Sequence, residues 1–138
     1  FPGEDVRFDE YLAGDNNPDE PGWFIQWLQQ RREISAFTFD GAWYDIGTPE
    51  GYLDAVSWVL EGENLVERGA TVENTDLGAN VHIMEGATVT DSTLDRTLVF
   101  PDAHISESTF RESIIDCDSE VHGLDLAGAL IGAHSDLS

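Results

Sequence analysis

With 138 residues the chain can bury one modest hydrophobic core or two very small ones, so one domain with an appendage is expected. Its 28 acidic residues against 6 basic ones give a formal net charge of -22, which repels phosphate backbones and anionic headgroups and argues against nucleic acid and membranes as partners. No run approaches the roughly 20 apolar residues that span a bilayer, and no charged-then-apolar leader opens the sequence, so a cytoplasmic protein is expected.

The chain starts on Phe1 and not on methionine, as a fragment or a processed product would. Asn17, Pro18, Asp19, Glu20 and Pro21 form a loop rich in helix-starting residues. A short helix over 21–32 follows, with Phe24, Trp27 and Leu28 on one face. Arg31 and Arg32 stand at its C-terminal end, where positive charge complements the dipole. Residues 34–39 read as a strand, Asp40 and Gly41 as a two-residue hairpin turn, and 43–46 as the returning strand. Thr48 is then the expected N-cap of a second helix. Pro49 occupies its first position, Tyr52, Leu53, Val56, Val59 and Leu60 form an apolar stripe, and Gly62 stops it. These elements are too few for a core of their own, and Trp23, Trp27, Trp43 and Trp58 all fall among them. Residues 1–62 are therefore expected to be the tail of a larger α/β domain that covers this aromatic surface.

From Val66 onward the periodicity changes. Apolar residues recur at Val66, Val72, Leu77, Ile83, Val89, Leu94, Val99, Ile105, Phe110, Ile115, Val121, Leu126 and Ile131, always five or six residues apart. A helix needs spacings of three and four, and a simple sheet needs alternation, so a solenoid with three short strands per rung fits better. Every third member gives the columns Val66, Ile83, Val99, Ile115, Ile131; then Val72, Val89, Ile105, Val121; then Leu77, Leu94, Phe110, Leu126. Two residues before each member after Val66, ten of twelve positions are Ala, Ser or Thr. In period-two geometry that position faces inward too, where a tight corner admits only a small side chain. Gly69, Gly78, Gly86, Pro101 with Asp102, and Gly128 sit where corners should fall. Residues 63–138 are thus expected to form a parallel β-helix of about four rungs. The repeat resembles the hexapeptide-repeat proteins, and that resemblance implies a left-handed β-helix.

The run GAWYDIGTPEGYLDA, Gly41 to Ala55, closely resembles the end of the catalytic domain in sugar-phosphate nucleotidyltransferases, many of which continue into a hexapeptide β-helix. The resemblance covers nearly the whole chain. It implies a mainly β protein in which an α+β remnant of an α/β nucleotidyltransferase domain precedes the β-helix. In that family a sugar 1-phosphate attacks the α-phosphorus of a nucleoside triphosphate, releasing pyrophosphate and making a nucleotide sugar. Charge grows on phosphoryl oxygens, so a hard cation such as Mg²⁺ held by carboxylates suits the step. By its match to the motif, Asp45 would be one of two metal-binding aspartates; the plainer reading has it hydrogen-bond the turn after its strand. Trp43 would line the sugar or nucleotide pocket, or sit in a core. The family's Gly-rich loop with arginine and lysine, its sugar-phosphate lysine and its earlier metal aspartate have no counterpart here, and lysine is absent altogether. The chain is therefore expected to be inert alone.

Two other classes fit parts of the sequence. In a hexapeptide-repeat acyltransferase a histidine near a corner acts as base toward an acceptor beside an acyl thioester. His82, His104, His122 and His134 hold no constant register, however, and read as outward surface residues that build no three-imidazole zinc site. Alternatively the β-helix is a non-catalytic oligomerisation or regulatory module, its first edge covered by the preceding helix and its end near Leu137 open to a partner subunit. Cys117, the single cysteine, can form no internal disulfide.

The acids are scattered and not gathered in a tail, which fits the surface of a halophilic protein from a high-salt cytoplasm, or an acidic cation-binding surface. Thermal stability is therefore expected to rise with potassium chloride well past ~0.15 M, as salt screens self-repulsion. A melting temperature indifferent to salt would remove the high-salt reading.

Overall fold

A computed structural model describes residues 8–14 and 16–138, and the chain divides into two compact units between Gly41 and Ala42. In the first, α1 (Phe8–Leu12) and α2 (Pro21–Gln29) are held by aromatic packing. Tyr11 is buried, its ring 5.3 Å from that of Phe24 and 5.7 Å from that of Trp27, and its hydroxyl donates to the Asn17 carbonyl at 2.6 Å. Phe24 and Trp27 lie one turn apart on α2, as the sequence requires. The helix ends three residues before the expected Arg32, where the Arg31 and Arg32 amides both return to the Leu28 carbonyl. Arg31 instead folds back over the Trp27 ring, 4.1 Å from its centroid.

The expected hairpin is absent, for no strand forms over 33–47. Two strands alone are marginal in water, and among the described residues no third strand joins this segment. Phe37 and Trp43 accordingly remain 87% and 75% exposed.

In the second unit, α3 (Pro49–Leu60) begins as the sequence dictates. Thr48 is extended, its hydroxyl accepts from the Gly51 amide at 3.1 Å, and Pro49 follows directly. The helix ends through Glu61 and Gly62, both with positive φ.

Beyond it lies a parallel β-solenoid. Its first face stacks Leu65–Val66, His82–Ile83, Leu98–Val99, Ile114–Ile115 and Leu130–Ile131. The second stacks Thr71–Glu73, Thr88–Thr90, His104–Ser106, Glu120–His122 and Asp136–Leu137. The third stacks Asp76–Leu77, Thr93–Asp95, Thr109–Arg111 and Asp125–Ala127. All three columns expected from the spacing pair residue for residue, giving four full rungs and two strands of a fifth. Ile83, Val89, Leu94, Val99, Ile105, Phe110 and Ile115 form one buried apolar core. Burial fades at the ends, with Val66 43% exposed, because each rung is covered only by its neighbours.

Each of the thirteen corners between these strands carries one residue with positive φ: Gly69, Asn74, Asn80, Gly86, Asp91, Arg96, Asp102, Glu107, Glu112, Asp118, Gly123, Gly128 and His134. An L-residue there costs roughly 1–2 kcal/mol. The corner amide offsets this by donating to the rung before, as Glu107 does to the Thr90 carbonyl and Glu112 to that of Asp95. Gly78, expected at a corner turn, leaves the left-handed position to Asn80; a side chain at Gly78 would overlap that of Asp95.

The small inward residues do more than fit. Ser108 Oγ donates to the Ser106 carbonyl at 2.7 Å and accepts the Leu124 amide at 3.1 Å, while the Ser108 amide bonds Ser92 Oγ at 3.1 Å. Ser108→Ala keeps the size but strands a backbone amide, so a loss of about 1–3 kcal/mol is expected by urea unfolding. A variant within error of the parent would leave steric fit as the sole reason for serine.

The helix does not cover the first edge as expected. Leu53 is buried against Leu98 and Ile114, which point outward from the middle of the first face, with Tyr52, Val56 and Phe100 around them. Those two outward positions are leucine and isoleucine, whereas the corresponding site in the rung before is His82, which separates them from the outward Leu65 of the first rung.

Candidate functional site

The backbone from Asp45 to Gly51 doubles back on itself. Asp45 Oδ1 accepts the Gly47 amide at 3.0 Å, so the carboxylate does bond the turn that follows it, although no strand precedes that turn. A Cβ at Gly51 would overlap the Asp45 carbonyl oxygen, which is why glycine stands in the first turn of a helix. Asp45 is exposed, and its second carboxylate oxygen has no partner among the described residues. Trp43 does not enter a core. Tyr44 leans instead on Trp58 of α3, ring centroids 6.2 Å apart.

Two grooves flank the start of α3. One, about 460 Å³, runs past Thr48, Glu50, Arg96 and Glu112. The other, about 300 Å³, is more apolar and is lined by Ile46, Tyr52, Phe100, Ile114 and Leu130. Among the described residues, no three His, Cys, Asp or Glu side chains converge to hold a metal. Asp45 could thus supply one ligand only.

The histidines separate. His104, His122 and His134 are exposed, as read, but His82 is largely covered and its Nε2 lies 2.8 Å from Glu67 Oε1. That hydrogen bond first, and the Glu85 amide on Oε2 at 3.0 Å second, hold the Glu67 carboxyl below its ordinary 4.5. A lowered folded pKa adds stability that is present above the unfolded value and lost as pH falls through the folded one. Glu67→Gln should therefore lower the melting temperature at neutral pH and flatten its acid limb, so that variant and parent converge as pH falls well below about 4.5. Identical acid limbs would show that the pair adds nothing.

His104 and His122 share a groove of about 450 Å³ with Ser106, Glu120 and Asp136 on the second face. Ser106 Oγ is 3.0 Å from His122 Nδ1. The two stand one repeat apart in register, a pairing the spacing of the apolar columns implies but a comparison of histidines with one another does not reveal. Cys117 is no nucleophile candidate: desolvation first, then Asp116 and Asp118, raise its thiol pKa and oppose the thiolate.

No family model matches this sequence, and no curated protein does. Among solved structures, a protein from Desulfovibrio desulfuricans G20 described as a putative acetyltransferase is 16% identical, with a TM-score of 0.38. The match covers 52% of this chain and 18% of that protein's length. So distant a likeness carries no weight for activity. Among the described residues, no helix is long and apolar enough to cross a membrane.

Proposed function

We propose that the chain is the C-terminal part of a sugar-1-phosphate nucleotidyltransferase, with the β-solenoid bracing the last metal-binding carboxylate of the catalytic domain. The observation that carries this reading is Asp45, a carboxylate fixed by its own turn, left with one uncommitted oxygen and joined to a helix packed on the solenoid. Mg²⁺ commonly takes only one or two carboxylates and completes its shell with phosphates and water, so a single such donor fits it. When bound, the cation would neutralise charge that builds on the α-phosphate. Asp45 would orient it, and the exposed ring of Trp43 would offer a face to the sugar or base. The remaining carboxylate and the cationic phosphate clamp would come from other parts of the protein, since this chain has no lysine. The test is pyrophosphate release by the full-length protein from nucleoside triphosphates and hexose 1-phosphates in the presence of Mg²⁺. No release from any pair removes the reading.

The Ser106–His122 contact favours a second reading, a hexapeptide-repeat acyltransferase with His122 as base in the groove it shares with His104. Thiol release from acetyl-coenzyme A with amine or hydroxyl acceptors, abolished by His122→Ala, would select it. In either case the solenoid would also serve assembly, and sedimentation equilibrium would report a homo-oligomer.

A further inference from the structure

We infer that Arg96, a corner residue of the solenoid, is a positioning residue for the Asp45 carboxylate, acting through α3. Its meaning for catalysis rests on the nucleotidyltransferase reading; the mechanical coupling does not. Arg96 has φ +44°, a conformation that long side chains rarely take, where the equivalent corners of neighbouring rungs use Asn80, Glu112 and Gly128. What the strained position gains is direction. The guanidinium reaches α3, where it donates to Asp54 and, through Nε, to Ser57 Oγ at 3.3 Å, while a third nitrogen meets Glu112 at 3.3 Å. Leu53, packed with Leu98 and Ile114, is the buried centre of the apolar contact that Tyr52 and Val56 also make with this face. Asp54 and Ser57, one turn apart, let the planar fork of Arg96 fix its rotation.

The coupling continues in the opposite direction along the chain. Once α3 is fixed, Gly51 and Thr48 are fixed with it. The Asp45 carbonyl packs on Gly51, and the Asp45 carboxylate is turned by the Gly47 amide. Every step from Arg96 to Asp45 is a direct contact or one turn of helix. A path of contacts is still only a candidate for energetic coupling, so it must be measured.

The measurement is amide hydrogen exchange on this chain, comparing Arg96→Met, Asp54→Asn and the double variant with the parent. The Gly47 and Gly51 amides, which bond Asp45 and Thr48, should exchange about tenfold faster in Arg96→Met. The Thr93 and Thr109 amides, which bond successive rungs, should hold their rates. Asp54→Asn should give a smaller rise, and the double variant should match Arg96→Met, since the two groups act as one contact. Unchanged Gly47 and Gly51, additive effects, or equal acceleration at Thr93 and Thr109 would each overturn the inference. In the full-length protein, Arg96→Met should raise the Mg²⁺ concentration for half-maximal turnover several-fold more than it lowers kcat; a fall in kcat alone counts against it. A parent protein that releases no pyrophosphate would defeat the functional reading, while the exchange data would still decide the coupling.

Discussion

Ile105→Asp is expected to unfold the solenoid. Ile105 is 1% exposed and stands between Val89 and Val121 in the second-face column, within a core that includes Phe110 and Ile115. A carboxylate there meets no cation, because Arg111 of the same rung points outward to Asp125, and an unpaired buried charge costs several kcal/mol. Whole domains hold only ~5–15 kcal/mol of net stability, so this one change consumes much of it. The position aggravates the loss. Stability in a solenoid is a sum over adjacent rungs, and a defect in the middle rung isolates the short stacks on either side, each of which already has one poorly covered end. Ile105→Val is the control, with a loss of about 0.5–1.5 kcal/mol and an unchanged fold. Circular dichroism and urea titration of the two variants decide the matter, and a native spectrum for the aspartate variant would refute the column.

On the proposed nucleotidyltransferase reading, Asp45→Asn, made in the full-length protein, should lower Mg²⁺-dependent turnover steeply while leaving the melting temperature nearly constant. Asparagine keeps the shape and can still accept the Gly47 amide, so the turn survives. What it loses is the charged oxygen. Loss of one ligand at a phosphoryl-transfer site corresponds to a few kcal/mol of transition-state stabilisation, with each ~1.4 kcal/mol a factor of ten in rate. Thr48→Ala provides the comparison. It removes the hydroxyl that accepts the Gly51 amide and should cost about 1 kcal/mol of stability without touching a metal ligand. If Asp45 were there only for its turn, the asparagine variant would keep full turnover, and that result would take it out of the site.

The site was only partly legible. The capped helix after Thr48 could be read because Thr-Pro at a helix start acts through local geometry alone, and Asp45 was singled out only by the resemblance of its motif. Neither signal reported that Trp43 is exposed, or that Gly51 is required by the Asp45 carbonyl pressed against it. The hairpin over 34–46 failed for a related reason. Alternating apolar residues state a preference for a strand, but a strand forms only against a partner, and the described residues offer none.

In the solenoid the division between sequence and structure is sharper. The sequence alone determined the three columns, their register and the inward small residues. It could do so because a repeat of about sixteen residues places like on like, and every pairing is then set by one local period. Tertiary structure decided what depends on neighbours in space. Charged residues such as Glu107 and Glu112 take left-handed corners because their amides bond the rung before. Serines such as Ser108 hold the next rung by hydrogen bonds as well as by being small. The helix α3 lies on Leu98 and Ile114 and not over the open first rung; these are adjacent outward apolar residues, and Arg96 reaches the helix there. The contacts of α3 lie outside the repeat, so no local period could have announced them, and at the corners and serines the period gave the partners' register but not their hydrogen bonds.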